Sequence, residues 1–93
     1  MDVPKLNSRR SQEDIVSSIL HNLSEYGPQK KTWIMYSSML SWYQLLQYMK
    51  YCIDHDMIKS FKDDMYSITK NGEEYLNKYD QLKEFVTKKK EVE

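Results

Sequence analysis

Lys30-Lys31-Thr32-Trp33-Ile34-Met35-Tyr36-Ser37-Ser38-Met39-Leu40-Ser41-Trp42-Tyr43-Gln44-Leu45-Leu46-Gln47-Tyr48-Met49-Lys50-Tyr51-Cys52-Ile53 is the stretch on which the fold turns. Trp33 to Tyr36 suit a short helix of about two turns that begins near Thr32, and Ser37-Ser38 is the natural place for it to break. Ser41 is then a strong N-cap for a longer helix running to about His55. Leu40, just before that cap, can pack on Leu45 as a hydrophobic staple. The stretch predicts two helices joined by a turn of a few residues.

Working upstream, Ser11 followed by Asp14 offers a capping-box-like start to an earlier helix, with the carboxylate at the positive end of its dipole. Ile15, Val16, Ile19, Leu20 and Leu23 share one stripe, and Glu13, Asp14, Ser17 and Ser24 lie opposite. Gly27-Pro28 closes this helix, Gly27 as a left-handed cap and Pro28 because it cannot continue the ladder. Residues 1–10 show no apolar period and carry Lys5, Arg9 and Arg10 against Asp2, so they read as a loose basic arm with no secretory h-region.

Downstream, Met57 to Phe61 and Met65 to Ile68 suit a small β-hairpin with Lys62-Asp63-Asp64 at its tip. Thr69 caps a last helix that has Glu73 and Glu74 early and Lys88 to Lys90 late, the order a helix dipole favours. Gly72 inside that helix costs about 1 kcal/mol relative to Ala, which predicts something packed closely against it.

The order helix, helix, helix, hairpin, helix, with a helix-turn-helix in its middle, resembles the winged helix-turn-helix fold. It is more closely similar to small archaeal winged-helix DNA-binding proteins that dimerise through a long C-terminal helix. The resemblance spans roughly residues 11–86. It rests on Gly27-Pro28, Ile34-Met35-Tyr36, Leu40-Ser41-Trp42, Tyr48-Met49, Met57-Ile58, and the lead Tyr66-Ser67-Ile68-Thr69-Lys70-Asn71-Gly72 into the last helix. The expected class is mainly α with a small β-hairpin, an α+β fold. The expected organisation is a flexible basic arm (1–10), a winged helix-turn-helix domain (11–69) and a C-terminal dimerisation helix (70–93).

Composition narrows the function. The 93 residues hold 14 basic and 14 acidic side chains, one cysteine, two histidines and two glycines. That excludes an internal disulfide, a Cys-rich zinc site and a Gly-rich phosphate loop. His21 and His55 lack a third ligand at metal-site spacing. Cys52 falls on an inner helical arc, where it reads as a small hydrophobe. Asp63-Asp64 and Glu73-Glu74 are explained by a turn and a helix start. The reading is therefore of a protein that is not an enzyme and has no cofactor, no metal and, lacking an apolar run of about 18 residues, no membrane partner.

Charge is unevenly distributed although it sums to zero: residues 27–53 contain Lys30, Lys31 and Lys50 and no acid. Those lysines, with Arg9 and Arg10 if the arm folds back, are candidates for duplex phosphates. On the helix after Ser41, Leu45, Leu46, Met49, Cys52 and Ile53 form the expected inner arc with Trp42 at its edge. Tyr43, Gln44, Gln47 and Tyr51 form the outer one, flanked by Tyr48 and Lys50. In a major groove, Gln44 and Gln47 suit adenine, and the Ser41 and Tyr43 hydroxyls suit phosphates or base edges. At the hairpin tip the aspartates repel phosphate, leaving Lys62 as the one contact and the wing a minor contributor.

On the last helix Tyr75, Tyr79, Leu82 and Val86 recur at coiled-coil spacing, with Leu76 and Phe85 broadening the seam. Tyr75, Tyr79, Leu82, Phe85 and Val86 are the expected homodimer interface, and the family resemblance implies an antiparallel pairing. The function expected is binding of double-stranded DNA, as a transcriptional regulator or chromatin-associated factor of the cytoplasm and nucleoid. The alternative is a winged-helix module that docks a protein on its tyrosines.

Overall fold

The computed structural model describes residues 10–92, with side chains as far as Val86. Helix α1 (Gln12–Tyr26) is followed by strand β1 (Gln29–Lys30), helices α2 (Lys31–Ser38) and α3 (Trp42–Asp54), the hairpin β2 (Ile58–Phe61) and β3 (Met65–Ile68), and helix α4 (Lys70–Val92). The strands form an antiparallel sheet in the order β1-β3-β2. This is the mainly helical α+β winged-helix architecture expected, with a long last helix.

Three of the four described helix starts follow from a side-chain cap, α2 being the exception. The Ser11 hydroxyl accepts from Asp14 N–H at 3.1 Å and the Asp14 carboxylate accepts from Ser11 N–H at 3.4 Å, which closes the box at α1. The same reciprocal pair forms at α3, where Gln44 N–H donates to Ser41 Oγ and Ser41 N–H to Gln44 Oε1, both at 3.1 Å. At α4, Thr69 Oγ1 accepts from Gly72 N–H at 3.0 Å and donates to the Asp56 carbonyl at 2.6 Å, so one hydroxyl caps the helix and ties it to the end of α3.

The core lies where α1, α2, α3 and the sheet converge. Ile19, Leu20, Leu23, Ile34, Leu45 and Ile58 are almost wholly buried in it. Leu40 and Leu45, the expected staple pair, are both buried there. On α1, however, Ser17 is buried and its hydroxyl donates to the Asp14 carbonyl at 3.0 Å, so that helix presents a wider inner face than its aliphatic stripe implies.

Three local expectations need correction. Residues Gln29–Lys30 form a strand, unforeseen because two residues are too short for any alternation and pair only through β3 (Gln29 with Tyr66, Lys30 with Met65). Helix α2 begins at Lys31 and runs through both serines, and the break falls at Met39, whose φ of 57° and ψ of 50° are left-handed. Gly27 is not a left-handed cap: at φ 83° and ψ −167° it occupies a region essentially reserved for glycine, while its N–H still donates to Leu23.

Gly72 is close-packed, as its place in a helix predicts. A Cβ there would collide with the Met57 carbonyl oxygen and lie 2.8 Å from Ile68 Cγ1. Its absence lets α4 lie against the start of the hairpin.

Candidate nucleic-acid interface

Helices α2 and α3 carry the candidate surface, and α3 is held at both ends. Its N-terminus has the Ser41–Gln44 box, and Arg10 donates from Nη2 to the Ser38 carbonyl at 2.8 Å and to the Met39 carbonyl at 3.2 Å, covering the end of α2 beside the turn. At the far end, Asn71 Nδ2 donates to the His55 carbonyl at 3.0 Å. Tyr51 stacks on His55 with ring centroids 4.2 Å apart.

Between these anchors α3 buries Leu45, Met49 and Cys52, and Tyr48 and Tyr51 pack against the same core. The inner arc is therefore rotated from the one expected. Leu46 and Ile53, expected inside, are exposed at 39% and 42%, and Tyr51, expected outside, is half-buried. The cause is the amphipathic tyrosine: its ring packs as a hydrophobe while its hydroxyl reaches water, so two tyrosines hold positions that an aliphatic-only reading gives to Leu46 and Ile53.

The exposed strip of α3 is thus Tyr43, Leu46, Gln47 and Lys50, at i, i+3, i+4 and i+7 on one face, with Trp42 and Ile53 along its edge. Gln47 Nε2 donates to Tyr43 Oη at 3.1 Å, which leaves one amide N–H and the carbonyl oxygen of Gln47 facing outward. Lys50 Nζ lies 2.9 Å from Asp54 Oδ2, an exposed pair that sequence reading missed although its i,i+4 spacing signals it. Gln44 and Ser41 are exposed but bonded to each other in the cap, so the Gln44 oxygen is occupied.

The expected phosphate contacts scatter around this strip. Lys30 and Lys31 stand at the base of α2, where with Thr32, Asp64 and Tyr66 they line a cleft of about 290 Å³ between α2 and the wing. Lys31 Nζ sits 5.5 Å from the Tyr66 ring centroid, a cation–π contact that positions it. Lys62 is exposed at the wing tip beside Asp63 and Asp64, both with φ near +60°, the left-handed backbone that a mirror-image hairpin turn requires and that aspartate tolerates. Arg10 is engaged at the α2 terminus, and Arg9 lies outside the described residues.

The expected dimer residues divide in two. Tyr75 and Tyr79 are half-buried on their own domain. The Tyr79 hydroxyl donates to Asp14, which holds that carboxyl below its ordinary range, while burial and the same bond push the Tyr79 phenol up. Burial likewise raises Tyr75. Leu82, Phe85 and Val86, by contrast, are at least half exposed on the projecting part of α4.

Among the described residues no group of three or more potential metal ligands comes together. No described helix is long and apolar enough to cross a membrane. Cys52 is buried, and desolvation pushes its thiol up to about 12, so it is an inert core side chain.

Three helices, a capped second helix of the helix-turn-helix, and an antiparallel hairpin beside it define a winged-helix protein. The comparison with known families agrees: the winged helix-turn-helix family matches residues 9–87, and the chain belongs to it. It is also similar to an uncharacterized protein of Methanocaldococcus jannaschii, 32% identical over 81 residues that cover 87% of this chain and 81% of that protein.

Proposed function

We propose that this protein binds double-stranded DNA without catalysis, as a transcriptional regulator or chromatin-associated factor of the cytoplasm and nucleoid, with α3 as the recognition helix in the major groove. The observation that carries this reading is the α3 strip: a helix pinned at both ends presents Tyr43, Leu46, Gln47 and Lys50 to solvent, with no acid before Asp54. Tyr43 and Gln47 reach base edges, and Ser41 and Gln44 approach them at the helix N-terminus once the cap is exchanged for DNA contacts. Lys30 and Lys31 hold phosphates beside the strip, with Lys50, Lys62, Arg10 and Arg9 as lesser contributors. Two copies pair through residues 70–93, above all Leu82, Phe85 and Val86, which puts two weak half-site contacts on one duplex.

Lys30→Ala with Lys31→Ala should weaken binding to every duplex and make the log–log salt slope shallower by about 2. Gln47→Ala should relax sequence preference at similar overall affinity. Salt titrations of fluorescent duplex binding across several sequences read both; an unchanged affinity and salt slope for the lysine variant, or an unchanged sequence preference for Gln47→Ala, overturns these roles.

A second reading has one observation in its favour. Trp33, Tyr36 and Met39 are strongly exposed on α2 and its turn, and Trp33 and Tyr36 meet edge to face at 6.5 Å. Such a surface suits docking of a protein. Absence of duplex binding at low salt would favour that reading.

A further inference from the structure

We infer that the α3 strip selects A·T-rich DNA by placing Leu46, with the ring of Tyr43, against the C5-methyl groups of thymine, while Gln47 pairs with adenine. This inference rests on the duplex-binding reading above and names its substrate class. The argument comes from what the strip offers and what it lacks. In the major groove, guanine is read by free Arg or Lys donors, cytosine by carboxylate acceptors, adenine by the amide of Gln or Asn, and thymine by an apolar surface on its methyl group.

The strip has no arginine. Its lysine, Lys50, pairs with Asp54 at 2.9 Å on the exposed surface, which makes it a weaker reader of guanine than a free arginine and lets it serve a phosphate instead. Gln44 has its oxygen in the helix cap, whereas Gln47, beyond its bond to Tyr43, has an oxygen and an N–H that match the adenine N6 and N7 edge without any rearrangement. Beside it stands an aliphatic side chain, Leu46, one position before Gln47 and three after Tyr43. An exposed leucine is ordinary on a protein surface taken singly. Here, however, it sits at the centre of the recognition face and adjoins the adenine-reading amide, so neighbouring A·T pairs satisfy both groups at once. Against G·C pairs Leu46 would meet the N4 amino group of cytosine and desolvate it without a partner.

The test uses the wild-type protein and three duplexes of equal length at one salt concentration: a mixed A·T sequence, the same sequence with every thymine replaced by deoxyuridine, and a G·C sequence. Deoxyuridine keeps each hydrogen-bonding group and removes only the methyl. Burial of one methyl corresponds to about a fourfold change, so the A·T duplex should bind several-fold tighter than its uridine counterpart. It should bind tenfold or more tighter than the G·C duplex. Leu46→Ala should shrink the difference between the thymine and uridine duplexes, the Tyr43 ring keeping the rest, and should tighten G·C binding by relieving the desolvated cytosine amino group.

If all three duplexes bind but the methyl has no effect, or G·C is preferred, this inference is overturned while duplex binding stands. Failure of every duplex to bind at low salt overturns the proposed function as well. Because the decisive change is made in the DNA, the outcome does not depend on how a variant folds. Leu46 is exposed, so circular dichroism of Leu46→Ala should match the wild type.

Discussion

Helices α3 and α4 are both amphipathic, yet their exposed faces arise for opposite reasons. Helix α3 is fixed at each end, by the Ser41–Gln44 box and by the Asn71 and Thr69 bonds near its C-terminus, and its outer strip is exposed on a rigid base. Helix α4 is fixed along its first part. Thr69, Gly72 and Leu76 seat it against the hairpin and core, and Tyr79, Asp80 and Lys83 make polar contacts to Asp14 and His21 of α1. Farther along, the helix projects from the small domain, and Leu82, Phe85 and Val86 are at least half exposed on it. A rigid, mixed polar surface suits a ligand with fixed geometry. A projecting apolar stripe suits the proposed pairing with a second copy of the chain.

The seat of α4 is the most fragile part of this contrast. Gly72→Ala should destabilise the fold by about 3 kcal/mol, because the added methyl meets the Met57 backbone, which has little room to yield. Urea denaturation would measure it, and near-normal stability would mean that α4 is seated elsewhere. The projecting part should behave in the opposite way. Leu82→Glu with Val86→Glu alters exposed positions, so each chain should keep its stability within about 0.5 kcal/mol. The same pair should convert a homodimer to monomers in sedimentation equilibrium, through like charges and lost apolar burial. A wild-type chain that already sediments as a monomer would assign the stripe another role.

Much of this arrangement is legible in the residues. Ser11-Asp14, Ser41 and Thr69 mark three helix starts, and Gly72 announces its close contact, because caps and glycines act locally through backbone groups nearby in sequence. Strand β1 is not legible, since its two residues become a strand only when β3 lies beside them. The candidate site was half legible. Tyr43, Gln47 and Lys50 fall on the outer face either way, but the exposure of Leu46 depends on Tyr48 and Tyr51 taking up core positions, a tertiary choice that helical periodicity leaves open. The Arg10 contact to the α2 terminus is likewise long-range and has no local signature.

The boundary between the two parts of α4 is set by Tyr79, and it yields the smallest effect. Tyr79→Phe removes the phenol that donates to Asp14 while keeping the half-buried ring, so at neutral pH it should cost about 1 kcal/mol. The pH dependence separates a charge-assisted bond from ring packing. Asp14 is held below its ordinary value in the folded state, so its contribution is present above the unfolded carboxylate value and disappears as pH falls through the lower folded one. Tyr79 is raised, so its contribution is complete below the unfolded phenol value and is lost as pH rises through the higher folded one. The gap between wild type and Tyr79→Phe in thermal melts should therefore be widest across the middle of the pH range and shrink at both extremes. A gap that is the same at pH 2 and pH 7 would assign the effect to packing, and the clamp that separates the seated part of α4 from the projecting part would then be apolar.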